Sequence, residues 1–147
     1  MAETAEWPLE LELVGIYFFW YLFYQEQMKN LPFPNRLKFA VNGLVATWKS
    51  EASFRFQSVA AVGVLVLLII LRPAPLWWVL LLLTTGSVLS AELLNTALES
   101  LIDRIHPDQH RSIKTAKDCA AGAVLIFSLV SVGVLIAFIF EQTSTTR

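Results

Sequence analysis

Residues Cys119–Phe140 form an unbroken run of 22 without Asp, Glu, Lys, Arg or His. A helix needs about 20 predominantly apolar residues to cross the hydrocarbon of a bilayer, so this run predicts a membrane span. Two further blocks, 54–71 and 76–101, reach that length once a few polar groups are admitted at one end. Between them, Arg72-Pro73-Ala74-Pro75 cannot continue a helix, because proline lacks the amide donor and restricts the residue before it. A tight hairpin at the membrane surface is predicted, with Trp77 and Trp78 as interfacial anchors just past it. Only 16% of residues are charged, against roughly 25% in soluble domains, which argues against a water-soluble enzyme core.

Lys and Arg set the orientation. Lys29, Arg36, Lys38, Lys49 and Arg55 precede the first span, and Arg104, Arg111, Lys114 and Lys117 lie between the second and third, leaving only Arg72 and Arg147 for the other side. That asymmetry predicts a multi-pass membrane protein with the N-terminus and the 103–118 loop in the cytoplasm. The segment 36–52 reads as a surface helix: at 100° per residue Leu37, Val41, Leu44, Val45 and Trp48 share an arc of about 100°, with Lys38 and Lys49 beside it. Such a helix lies along the interface or packs on the chain's own spans, and the two are compatible. Ahead of it, Leu13–Tyr24 is aromatic-rich but too short to cross, lacks the flanks of a signal peptide, and reads as an interfacial or re-entrant helix ended by Leu31-Pro32-Phe33-Pro34. The expected fold is therefore an all-α membrane protein with three transmembrane helices, an amphipathic interfacial helix and an aromatic-rich extension over 1–35, with 36–147 as the membrane domain. Cys119 is the single cysteine, so no disulfide forms within the chain, and a net charge of −1 gives no reason to expect nucleic acid.

The second span carries the chemistry. Glu92, Asn95, Glu99 and Asp103 are spaced 3, 4 and 4, which places them within about 80° on one helix face. Glu92 lies about 24 Å along the helix from Leu76, near the edge of a hydrocarbon core ~30 Å thick, and Glu99 about 10 Å further on. A carboxylate at that depth costs at least a few kcal/mol and is retained with a partner or a task. The structural alternative pairs Glu92 with a basic residue, hydrogen-bonds Asn95 across helices and leaves Asp103 and Arg104 as solvated loop charges. Glu51, at the end of the surface helix, and Lys117-Asp118, before the third span, stand on the same side of the membrane. Mg²⁺ uses one or two carboxylates together with substrate phosphates, and a lysine supplies a point charge for phosphate. His106 and His110, four apart beside a proline, read as surface residues, and no P-loop or G-x-G-x-x-G fingerprint is present.

Three motifs, Trp48-Lys-Ser-Glu-Ala-Ser-Phe-Arg55, Glu92-Leu-Leu-Asn-Thr-Ala-Leu-Glu-Ser-Leu-Ile-Asp-Arg104 and Ala116-Lys-Asp118, together resemble the prokaryotic integral-membrane diacylglycerol kinases and their relatives, the undecaprenol kinases, over about residues 36–140. The resemblance implies that Glu92 is the base that takes the proton from the lipid hydroxyl, and that Glu51 and Glu99 hold the Mg²⁺ bridging the ATP phosphates. It implies that Asn95, Lys117 and Asp118 surround the nucleotide, that Asp108, Gln109 and His110 fall where the family's loop touches it, and that Trp48, Ser53 and Phe54 lie near the lipid. It further implies a homotrimer with active sites shared between subunits.

The expected activity is thus ATP- and Mg²⁺-dependent phosphorylation of diacylglycerol to phosphatidic acid at the cytoplasmic interface, with undecaprenol as the alternative substrate. From another class comes a non-enzymatic small membrane oligomer or assembly factor that uses the same acids for pairing or cation passage. The small-residue pairs Gly86-x-x-x-Ser90 and Cys119-x-x-x-Ala123 are of the kind that lets helices approach closely.

Overall fold

The computed structural model describes residue 19, residues 31–105 and residues 111–145. The chain divides into two compact units, 1–42 and 43–147. Of the first, Phe19 is helical and exposed; the remainder of the expected Leu13–Tyr24 helix lies outside the described residues. Four helices follow: α1 (Phe33–Ser50), α2 (Ala52–Leu71), α3 (Pro75–Ile105) and α4 (Arg111–Thr145). Among the described residues all regular structure is helical, and α2, α3 and α4 are each long and apolar enough to span a membrane.

Helix α1 begins three residues earlier than the hydrophobic pattern suggests. Phe33 and Pro34 open it instead of closing the preceding segment, since a first-turn proline forfeits no intrahelical bond. The turn is fixed by Asn35 N–H and Arg36 N–H donating to Pro32 O at 2.9 and 3.3 Å. At the other end α1 stops at Ser50, short of residue 52, because Glu51 is extended at φ −104°, ψ 119°. The Arg55 guanidinium reaches back from α2 and donates to the carbonyls of Trp48 (2.9 Å) and Lys49 (3.3 Å). It thereby satisfies acceptors that a helix end leaves without partners. In the second unit Leu44, Val45 and Trp48 remain exposed while Thr47 is buried, so these apolar positions have no cover from their own chain.

The α2–α3 turn follows its proline pattern. Arg72 adopts the left-handed conformation at φ 45°, its N–H donates to Leu68 O at 2.9 Å, and Pro75 occupies the first position of α3. Beside this turn lies the small core. Leu68, Leu81 and Phe138 are fully buried, ringed by Val64, Leu67, Trp77, Trp78, Val134 and Leu135. The Trp77 and Phe138 rings meet at 5.3 Å, and Trp77 Nε1–H donates to Glu141 Oε1 at 3.1 Å. Trp77 thus ties the start of α3 to the end of α4. Elsewhere α2 packs on α3 and α3 on α4, leaving large apolar residues such as Val62, Ile70, Leu125 and Ile136 uncovered, as lipid-facing surface requires.

The spans run past their apolar cores. At 1.5 Å per residue the 31 residues of α3 and 35 of α4 extend roughly 46 and 52 Å, well beyond ~30 Å of hydrocarbon. The expected 103–118 loop is therefore corrected. Helix α3 continues to Ile105 instead of 101, and α4 starts at Arg111 instead of 119, so Lys114, Lys117 and Asp118 are helical. Hydrophobicity marks where lipid ends, whereas residues 111–118, free of Pro and Gly, have no reason to leave the helix there.

Candidate active site

Glu92 sits in α3 with 4% of its surface exposed. Two side chains of α2, one turn apart, hold it. Ser53 Oγ–H donates to Oε1, and Gln57 Nε2–H donates to Oε2 at 3.5 Å. The four-residue spacing of Ser53 and Gln57 puts both on the face of α2 that meets α3. Among the described residues no lysine or arginine pairs with Glu92; the ion pair there is Lys117 with Asp103. The structural alternative of a basic partner for Glu92 is thus replaced by two neutral donors. Arg55, which lies between Ser53 and Gln57 in the sequence, is engaged with the carbonyls ending α1.

One turn on, Asn95 Nδ2–H donates to Glu99 Oε1 at 3.1 Å, while Asn95 Oδ1 is buried without a partner. Asn95 therefore bonds along its own helix and not across to another. A further turn on, the Lys117 ammonium of α4 pairs with Asp103 Oδ1. The alternative of Asp103 as a solvated loop charge holds for its solvation, at 65% exposure, but not for the loop: it is helical and pairs α3 with α4. The face thus has three levels, a neutral cradle around Glu92, an amide and acid at Asn95 and Glu99, and an ion pair at Asp103.

Of the remaining expected site residues, Glu51 is half-buried at the α1–α2 junction and its side chain makes no cap bond. Asp118 and Trp48 are exposed, whereas Phe54 is buried at 5% and packs within the chain. His106, Asp108, Gln109 and His110 lie outside the described residues. Among the described residues no group of three or more His, Cys, Asp or Glu side chains converges as a metal site. The oxygen-only donors Glu51 and Glu99 nonetheless suit Mg²⁺, which takes few protein carboxylates and completes its shell with phosphate and water. Glu99 has one oxygen engaged by an amide N–H, leaving acceptor capacity for a hard cation.

Gln57 was not among the sequence candidates. Its signal was present: it is the polar residue one turn after Ser53, on the same helix face. It also lines a cavity of about 170 Å³ between α2, α3 and α4, bounded by Ala61, Val64, Val88, Ser131 and Leu135. A larger groove of about 550 Å³ runs along α3 and α4 past Gly86, Ser90, Asn95 and Ala123. Within the chain no helix closes on Gly86, since a methyl group there would meet nothing within 4 Å. The expected close approach at the small residues is thus not made inside one chain at that position.

Comparison with known proteins bears on this site. Residues 38–140 match the family described as prokaryotic diacylglycerol kinase. The chain is 38% identical over 99 residues to the undecaprenol kinase of Bacillus subtilis, covering 66% of this chain and 80% of that protein. It is 38% identical over 90 residues to the diacylglycerol kinase of Escherichia coli K12, covering 61% and 74%. It is 36% identical over 103 residues to the diacylglycerol kinase of Synechocystis, covering 67% and 59%.

Proposed function

Because the chain belongs to the prokaryotic diacylglycerol kinase family and is a membrane lipid kinase, we propose that it phosphorylates diacylglycerol with ATP, giving phosphatidic acid and ADP. The reaction takes place at the cytoplasmic face of the inner membrane, the side on which nine of eleven basic residues fall. The observation that carries the reading is Glu92, a carboxylate buried at 4% exposure, held by neutral donors and starting a polar face that runs out of the apolar span. A lipid hydroxyl reaches head-group depth and ATP comes from water, so their meeting point is where that face leaves the lipid.

In the proposed reaction Glu92 accepts the hydroxyl proton as the lipid oxygen bonds to the γ-phosphorus and the bond to the β-phosphate oxygen of ADP breaks. Phosphoryl transfer asks the protein chiefly for alignment and charge stabilisation. Glu51 and Glu99 would hold Mg²⁺, which when bound neutralises charge on the phosphate oxygens. Asn95, Lys117 and Asp118 line the nucleotide, together with Asp108, Gln109 and His110. For Lys117 to face phosphate it must share or leave its bond to Asp103. Trp48 and Ser53 form the lipid side, Ser53 through its bond to Glu92, while Phe54, buried at 5%, supports that side from within the chain. The working form is a homotrimer with sites shared between subunits.

A second reading, undecaprenol as the acceptor, is favoured by the 38% identity to the Bacillus subtilis undecaprenol kinase. Purified protein assayed with labelled ATP on each lipid separates the two. Product from diacylglycerol at the higher kcat/KM is expected, a preference for undecaprenol reverses the assignment, and inactivity on both abandons it.

A further inference from the structure

Glu92 must, if it is the base, take a proton and release it in every catalytic cycle, so its surroundings have to satisfy both the carboxylate and the carboxylic acid. Each possible type of partner deals with this differently. A lysine or arginine suits the charged form alone, because neither carries an acceptor. An apolar neighbour suits the neutral form. A hydroxyl and a primary amide suit both: each is donor and acceptor at once, and can turn to present an N–H or O–H to the carboxylate or an oxygen to the protonated acid.

The two groups bonded to Glu92 are of this ambivalent kind, Ser53 on Oε1 and Gln57 on Oε2. In addition, Gln57 Oε1 is buried without a hydrogen-bond partner. A buried carbonyl left unpaired is costly, and an apolar side chain at that position of an apolar span would avoid the cost. The amide is therefore not explained by packing. With Nε2 donating to Glu92, the free Oε1 is the acceptor that a half-turn of the amide would bring to a protonated Glu92.

We infer that Gln57 is a positioning residue of the transfer reaction: its amide orients the Glu92 carboxylate before proton abstraction and turns to accept from Glu92 once it is protonated. Ser53 holds the other oxygen, Oε1, and goes on donating to it when the proton sits on Oε2. Gln57 touches neither the reacting hydroxyl nor the nucleotide in this assignment, and its effect is exerted through Glu92. The inference rests on the reading of Glu92 as the base.

The test compares Gln57→Leu, Gln57→Lys and Gln57→His with Glu92→Gln in the full-length protein, in the same detergent or bilayer. Leucine removes donor and acceptor while keeping an apolar shape; lysine supplies a donor that cannot accept. Both should lower kcat at least tenfold while the KM values for ATP and lipid stay within about twofold. Histidine, with one donor and one acceptor nitrogen when neutral, should retain more than half of the wild-type kcat. Helical circular dichroism and oligomer elution are measured on each variant. Wild-type kcat in either the leucine or the lysine variant overturns the inference, as does a loss of kcat that only tracks loss of the folded oligomer. If Glu92→Gln is inactive while those two variants match wild type, the positioning role alone fails. If Glu92→Gln remains active, the base assignment itself is wrong.

Discussion

Replacing Glu92 by Gln alters the proposed base while hardly altering its shape, which makes the expected energetics separable. On the stability side, two hydrogen bonds to a charged acceptor, from Ser53 and Gln57, become bonds to a neutral amide. Each loses roughly 1 kcal/mol, the difference between charge-assisted and neutral bonds. Against this, removing a charge from the centre of a span returns about 2.5–3.5 kcal/mol on insertion scales, and less near the edge of the hydrocarbon where Glu92 stands. The two effects nearly cancel for this buried side chain, so the variant should be within about 1 kcal/mol of wild type in stability. On the kinetic side, loss of a general base costs about 10²–10⁴ in rate, or roughly 3–5 kcal/mol of barrier. The assay is kcat with diacylglycerol and ATP, beside thermal denaturation followed by circular dichroism in one detergent. A variant that keeps more than a tenth of wild-type kcat refutes the base role. A variant whose oligomer dissociates shows that the acid holds the structure together.

Glu51→Ala and Glu99→Ala should each raise the Mg²⁺ concentration needed for half-maximal rate, and an unchanged Mg²⁺ titration removes that residue from the metal ligands. Asp103→Asn should change the melting temperature little, because its pair with Lys117 is partly exposed, 65% and 31%, and such pairs contribute about 1 kcal/mol or less. Lys117→Met should raise the KM for ATP several-fold more than Asp103→Asn does; equal KM values for both variants and wild type exclude Lys117 from the nucleotide. Phe138→Ala, at a fully buried core position, should cost about 2 kcal/mol, less than the 3–5 typical in soluble cores. Lipid is as apolar as that core, so only the packing loss remains. Reversible unfolding followed by tryptophan fluorescence measures it, and a cost above 4 kcal/mol contradicts a membrane setting for that residue.

The three spans and the acidic face were legible because each rests on a one-dimensional signal, the length of an apolar run and the 3, 4, 4 spacing of Glu92, Asn95, Glu99 and Asp103. The helix ends were not. Residues 111–118 are polar yet helical, and Pro34 opens α1 although proline more often suggests a stop. The partners across helices were not legible either. Gln57 looks like one more polar residue at the start of a span, beside Arg55 and Ser58, until α2 packs on α3, and Asp103 looks like a loop charge until α4 brings Lys117 to it. Pairing between helices depends on their rotation and register, which hydrophobic pattern constrains only to a broad face.

That rotation explains why one helix can serve both substrates. Counted from Pro75, Glu92 stands about 26 Å along α3, Glu99 about 36 Å and Asp103 about 42 Å, against a hydrocarbon core of ~30 Å. Glu92 is thus the last acid within the hydrocarbon length, and in the proposed function the next two stand beyond it, where the nucleotide would come from water. The chemistry of each level agrees with its depth. The innermost acid has only neutral partners, where an unpaired cation would be costly; the outermost has a lysine, where an exposed ion pair costs little. A shift of one residue in the spacing would rotate an acid by 100° off this face and leave the lipid-depth and water-depth groups unaligned. In the proposed function it is the continuity of the face along a single helix, more than any one acid on it, that would let a hydroxyl in the membrane be aligned with a phosphate outside it.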